Sequence, residues 1–255
     1  MEMMNEEIKK KAQSRLDSLI KPVGSFASLE TMAVQAAGAQ NQEIPEFFKK
    51  KILSFSPNEP SKTLKVLARY IGASLDKITP AADCKSQAEE LAVKLADEGI
   101  GIVGISLPDW QEEEVYKLWE DLKNTSLVDV EVVENKEKIT HLKLASSFYQ
   151  AAAAKRILIM LDGPASLLTA VMAGRQSPWI KEYLISSRDK DLADYREMQI
   201  EMGLDKGMST GIIDDGGLSM AFGLSLFDAA IRGIREIATF AEAQVEYAYN
   251  AASKK

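Results

Sequence analysis

Polar groups able to do chemistry follow short apolar runs in this chain. Leu161-Asp162-Gly163-Pro164-Ala165-Ser166 ends one such run and leads into a helical pattern. Gly163 and the first helical N–H groups can cradle an anion there, because the amides of a first turn have no partner inside the helix. The same residues also make an ordinary strand-to-helix turn capped by Asp162 or Ser166. Ser187 and Arg188 end the run Tyr183-Leu184-Ile185-Ser186. A guanidinium at a strand end can hold a phosphate or carboxylate by paired hydrogen bonds, although a solvated surface charge is its commoner use. Asn58 and Ser106 fall in the loops after two further runs. Asp214-Asp215-Gly216-Gly217 places two carboxylates before two glycines, by itself the composition of an exposed turn.

Other chemistries are excluded by count. His141 is the single imidazole and Cys84 the single thiol, so a Cys-His metal site is out and any Ser-His-Asp site depends on His141. Nothing beside His141 marks it as a base, and a helix-surface or half-buried packing role is expected. Glu112-Glu113-Glu114 reads as the acidic first turn of a helix, not as metal ligands. No metal and no cofactor is expected. The net charge of −7 argues against nucleic acid and anionic membranes as partners, since both need a basic footprint. The lone cysteine and the acidic N-terminus without an apolar segment point to the cytoplasm, and no apolar run approaches the ~20 residues of a membrane span.

The elements that position these groups follow from periodicity. Ile8, Ala12, Leu16, Leu19 and Ile20 form a helical stripe, Pro22 and Gly24 break it, and a second helix is expected over 28–40. From residue 50 onward, apolar runs at 52–55, 75–78, 100–105, 128–133, 157–161 and 183–186 alternate with amphipathic stretches. Such alternation predicts an α/β fold with a doubly wound, mostly parallel Rossmann-like sheet. The uniformly apolar runs 100–105 and 157–161 are expected to be central strands. A long apolar helix over 218–251 is expected to join the N-terminal helices in a small helical layer from both termini. The domains are then 50–215 for the sheet and 1–49 plus 216–255 for the helices. Ligands of such sheets bind beyond the strands' carboxyl ends, which nominates 56–61, 79–84, 106–111, 162–166 and 187–190.

Two segments carry a family resemblance. Lys21-Pro22-Val23-Gly24-Ser25-Phe26-Ala27-Ser28-Leu29-Glu30 near the start and Arg235-Glu236-Ile237-Ala238-Thr239-Phe240-Ala241-Glu242-Ala243-Gln244-Val245 near the end resemble the nicotinate-nucleotide:dimethylbenzimidazole phosphoribosyltransferase family. Its members build the lower-ligand nucleotide of cobamides. The resemblance covers about 12–55 and 155–247 closely and 60–150 only by pattern, and the chain is shorter than typical members by roughly a hundred residues. It implies a Rossmann-like domain, and nicotinate mononucleotide and an aromatic base as small-molecule partners. It also implies a dimer, either homodimeric or paired with a paralogue, with each site near the interface.

The resemblance places Asp162-Gly163 on the family's Leu-Asp-Gly and Ser187-Arg188 on an active-site rim where members usually carry histidine. Asp214, Asp215, Gly216 and Gly217 fall on a Gly-Glu-Gly-Thr-Gly-like segment whose glutamate is the family's proposed base. An ungapped alignment puts that glutamate on Gly216; a one-residue shift gives Asp215, whose replacement by Asn is then expected to abolish turnover. A base is wanted because a benzimidazole loses its ring N–H proton as the other nitrogen attacks the ribose C1′. Two further segments depart from the family. Phe55-Ser56-Pro57-Asn58-Glu59-Pro60 replaces a Phe-Ala-Ala-Asp-His-Gly-like segment, and Gly104-Ile105-Ser106-Leu107-Pro108-Asp109-Trp110 replaces a Gly-Ile-Gly-Asn-Thr-Thr-like loop. Pro108 or Asp109 is expected to start a helix. Selective loss of chemical segments implies either a phosphoribosyltransferase with degenerate motifs or a catalytically silent paralogue acting as a binding or partner subunit.

Overall fold

The computed structural model describes residues 3–124, 136–204, 212 and 216–244. Five described strands, β1 (Lys49–Phe55), β2 (Ser74–Ile78), β3 (Ile100–Ser106), β4 (Leu158–Leu161) and β5 (Leu184–Ser186), form one sheet in the order β2-β1-β3-β4-β5. Every pairing is parallel. The described helices are α1 (Glu6–Ser18), α2 (Ser28–Gln40), α3 (Lys62–Tyr70), α4 (Cys84–Asp97), α5 (Glu112–Asn124), α6 (Lys136–Ala154), α7 (Pro164–Gln176), α8 (Ala193–Glu201) and α9 (Leu218–Glu236). The α/β reading holds, and the runs at 100–105 and 157–161 are interior strands, as their unbroken apolar character requires. The run at 128–133 lies outside the described residues.

The chain divides into two compact units, Phe48–Ser225 and Glu2–Phe47 with Leu226–Lys255. In the sheet unit, residues of one parity on β1 and β3 face the start of α9, where Met220 and Leu224 fill the space that a Gly104 side chain would take. Phe55, of the other parity, meets Phe148 of α6 with ring centroids 5.9 Å apart. Edge strand β2 is only half-buried and polar, which suits an edge.

In the helical unit, the two family-like segments are structural. Lys21 and Glu30 close the first of them with an ion pair of 2.7 Å, both side chains at 10% exposure or less. Gly24 turns the chain at φ +73°, and Phe26 fills the space beside Gly233 of α9. In the second segment, Arg235 holds the Pro45 carbonyl and the Glu46 carboxylate. The expected helix over 218–251 ends instead at Glu236. Ile20 N–H donates to the Ala238 carbonyl and Phe240 N–H to that of Ser18, while Leu19 and Thr239 form an antiparallel bridge. Backbone pairing with α1's exit therefore replaces helical hydrogen bonds. Thr239 and Glu242 then satisfy each other's amides in a capping box.

Burial alone pushes the Glu30 carboxyl up, but the Lys21 ammonium, the Phe26 amide and Gln13 together hold it below the ordinary carboxylate value. A depressed folded value contributes stability above the unfolded value of about 4.3 and loses it as pH falls through the folded value. Thermal stability is therefore expected to fall as pH is lowered below about 4.3, and Glu30→Gln is expected to flatten that acid limb.

Candidate functional site

The order β2-β1-β3-β4-β5 reverses direction between β1 and β3, and the crevice at that switch point is where an open parallel sheet binds ligands. Ser106 at the end of β3 and Asp162 after β4 meet the start of α9 on this side.

Asp162, at the end of β4, is buried and acts as the cap of α9. Its Oδ2 accepts from Gly217 N at 2.9 Å and its Oδ1 from Met220 N at 3.1 Å. The carboxylate thus neutralises the positive end of a helix dipole and satisfies two first-turn amides. Ser166 Oγ accepts from Asp162 N and Gly163 N and donates to the Gly163 carbonyl. The Gly163 amide of the expected anion cradle is therefore already engaged, and Pro164, the first residue of α7, has none to offer. Beside them, Leu107 and Trp110 reduce the cleft over 162–166 to about 10 Å³, roughly the space of one water.

Ser187 is buried and donates to the Leu161 carbonyl at 2.6 Å, tying β5's exit to β4. Arg188 is not the solvated charge its type suggests: it is buried, and Nη2 donates to the Ile212 carbonyl at 3.1 Å. Its own carbonyl accepts from Ser186 Oγ, Tyr195 and Gln199. Burial pushes the Tyr195 hydroxyl up to about 12, so it donates throughout the physiological range. Gly217 lies at φ +94° with Leu64 and Ser106 against it, a conformation and a closeness that suit glycine. Gly216 precedes it in the turn leading into α9. Asp214 and Asp215 lie outside the described residues. Ser54 and Ser106 are registered neighbours on β1 and β3 whose buried hydroxyls have no hydrogen-bond partner among the described residues.

Asn58 and Ser106 have different surroundings: Ser106 lies beside Gly217 at the start of α9, whereas Asn58 reaches across the switch point. Its Nδ2 donates to Asp109 Oδ1 at 2.8 Å. Asp109 does not start a helix; α5 begins three residues later at Glu112, where Gln111 N–H donates to Glu114. Asp109 and Asn58, with Phe55, Trp110, Lys138 and His141, line a cavity of about 250 Å³. His141 lies on α6 and is 2% exposed, more deeply buried than a surface or half-buried packing residue. Lys138 pairs with Glu114 at 2.8 Å and lies over the Trp110 ring. Local sequence carries no sign of this pocket, because its members come from two loops and a distant helix. Among the described residues, no group of three His, Cys, Asp or Glu side chains is placed to hold a metal ion, and no helix is long and apolar enough to cross a membrane.

A family described as Phosphoribosyltransferase matches residues 1–60 and 141–245. The chain belongs to the nicotinate-nucleotide:dimethylbenzimidazole phosphoribosyltransferase family. A family member from Dehalococcoides mccartyi, named nicotinate-nucleotide–dimethylbenzimidazole phosphoribosyltransferase, is 25% identical over 334 aligned positions spanning 95% of each chain. One of the same name from Chlorobium chlorochromatii is 23% identical over 94% of each. The alignments are longer than the 255 residues present here, so these family members carry segments that this chain lacks. The crystal structure of the family enzyme from Thermus thermophilus superposes with a TM-score of 0.74 at 15% identity, covering 96% of this chain and all of that one. At that identity the likeness establishes the fold. The family match leaves out 61–140, which contains Ser106, Asp109 and Trp110.

Proposed function

We propose that this protein transfers phosphoribose from nicotinate mononucleotide to an aromatic base of the dimethylbenzimidazole type, in the synthesis of a cobamide's lower-ligand nucleotide. Membership of the family supports the reaction. The observation that carries it to a site is the cavity at the β1/β3 switch point, walled by Phe55 and Trp110 and polar at Asn58 and Asp109. A pocket of 250 Å³ lies just below the ~300–1,000 Å³ of drug-sized ligands, and so suits one bicyclic ring rather than a nucleotide. Phosphoribose then belongs over Asp162-Gly163 and the Gly216-Gly217 turn, and Leu107 and Trp110 have to withdraw to admit it. Asp214 and Asp215 directly precede Gly216 in the sequence. We assign the substrate-holding role to a sheet domain over 50–215, place the protein in the cytoplasm, and infer a dimer.

The nearly closed cleft over 162–166 favours a second reading, a silent paralogue that holds the base or serves as a partner subunit. Calorimetric titrations separate the two. The transferase is expected to bind both nicotinate mononucleotide and 5,6-dimethylbenzimidazole saturably at micromolar concentration. Heat with the base and none with the nucleotide fits the silent paralogue. No heat with either, from folded protein, removes both.

Trp110→Ala is expected to widen the cleft and tighten nucleotide binding severalfold, at a stability cost of about 3–5 kcal/mol for a buried tryptophan. Calorimetry and thermal unfolding of the variant check both halves of this expectation.

A further inference from the structure

We propose that the groove between α4 and α6 is a second ligand site, one that takes an aromatic monocarboxylate. It lies within the sheet unit, shares no lining residue with the switch-point cavity, and stands independently of the transferase reading. The two helices pack side by side, and α6 supplies the floor with Ser147, Ala151 and Ala154, spaced to fall on one helix face. Because these side chains are small, the helix surface leaves about 540 Å³, within the ~300–1,000 Å³ of small-molecule sites. Val93 of α4 and Trp179 add apolar walls. Val93 is 42% exposed, and Trp179 is half-buried with its ring held edge-on to Tyr183 at 6.1 Å. An indole fixed in place and left partly bare is a surface on which an aromatic ring stacks.

Hydrogen-bond donors gather beside these walls. Ser177 Oγ donates to Gln150 Oε1 at 2.8 Å, and Gln150 Nε2 donates to Gln176 Oε1 at 3.1 Å. That chain orients the Gln176 amide and leaves its Nε2 without an acceptor among the described residues. Lys85 and Lys155 also line the groove, both exposed and neither in an ion pair among the described residues. Glu89 is the one carboxylate in the lining. Two cations against one carboxylate leave a single positive charge, which matches one carboxylate on a ligand and not a phosphate dianion. An aromatic ring between Val93 and Trp179, with its carboxylate toward the lysines and the Gln176 amide, uses every one of these groups.

Trp179 supplies the readout. Trp110 and Trp119 are buried, at 6% and 3% exposure, so the neutral quencher acrylamide reaches chiefly Trp179. The probes are 3-phenylpropionate and its amide, which differ in charge and not in shape. The acid is expected to protect wild type from quenching saturably, with half-protection in the millimolar range that about eleven heavy atoms allow. The amide is expected to protect about fivefold more weakly, the worth of an exposed ion pair. Lys85→Gln combined with Lys155→Gln, both at exposed positions, is expected to bring acid and amide within about twofold. Ala151→Leu is expected to fill the floor and abolish protection by either probe. Circular dichroism establishes that each variant is folded. Equal protection by acid and amide in wild type overturns the assignment, as does an unchanged preference in the double lysine variant. Absence of saturable protection, or protection retained in Ala151→Leu, removes the site itself. Protection that persists in Trp179→Phe places the probe at another tryptophan and is equally fatal. Transfer activity enters none of these readouts, so a failed transfer assay and a failed groove are read separately.

Discussion

Asp162→Ala is expected to lower the free energy of unfolding by about 3 kcal/mol, from two hydrogen bonds to a charged acceptor and one helix cap. For a chain of this size each kcal/mol shifts the midpoint by about 2–4 °C, so thermal melting should move down by roughly 6–12 °C. The reasoning is local. Gly217 N and Met220 N at the start of α9 have no helical acceptor, and the variant leaves both buried without one. Asp162→Asn retains one acceptor oxygen and is expected to lose about half as much. A further readout follows from Tyr149, whose hydroxyl is pushed well up, first by burial and second by the charge of Asp162. Removing that charge relieves only the smaller cause, so Tyr149 should stay raised in the variant. An unchanged melting midpoint in Asp162→Ala would mean that the carboxylate is kept for the ligand and not for the helix.

Gly104→Val is expected to be more damaging. Gly104 lies on interior strand β3, and a Cβ there would collide with the Met220 sulfur, come within 2.8 Å of Met220 Cγ and lie 3.1 Å from Leu224 Cδ1. Overfilling of this kind costs about 1–3 kcal/mol for one added methyl in a packed core. Valine adds two more carbons with no free volume nearby, and the expected result is little soluble protein. Gly104→Ala with Met220→Ala tests the cause. The double variant should recover stability relative to the sum of the two single changes, because the clash and the side chain that makes it are removed together. Simple additivity would place the cost elsewhere.

Much of the sheet was legible because a parallel strand covered on both faces has to be apolar throughout, as 100–105 and 157–161 are. The first two helices were equally plain from their spacing and from the Pro22–Gly24 break. The end of α9 was not. Residues 237–244 keep an apolar, helix-compatible composition, and only the pairing with 18–20 ends the helix.

The site was less legible than the frame, because its decisive bonds join residues far apart in sequence. Asp162 reads locally as the cap of the helix that follows it, yet it caps α9, 55 and 58 residues away. Asp109 reads as a helix start, yet its partner Asn58 lies 51 residues earlier. Arg188 and His141 carry no local sign of burial, since what covers them comes from other elements. The two family-like segments could be read from sequence because their contacts are partly internal, as in the Lys21–Glu30 pair.

The most direct test of the proposed function is to incubate the purified protein with nicotinate mononucleotide and 5,6-dimethylbenzimidazole and to follow both products by mass spectrometry. The expected result is equimolar release of nicotinate and appearance of the benzimidazole ribotide. Folded protein that binds the base yet forms neither product would contradict the transferase reading and leave a base-binding paralogue in its place.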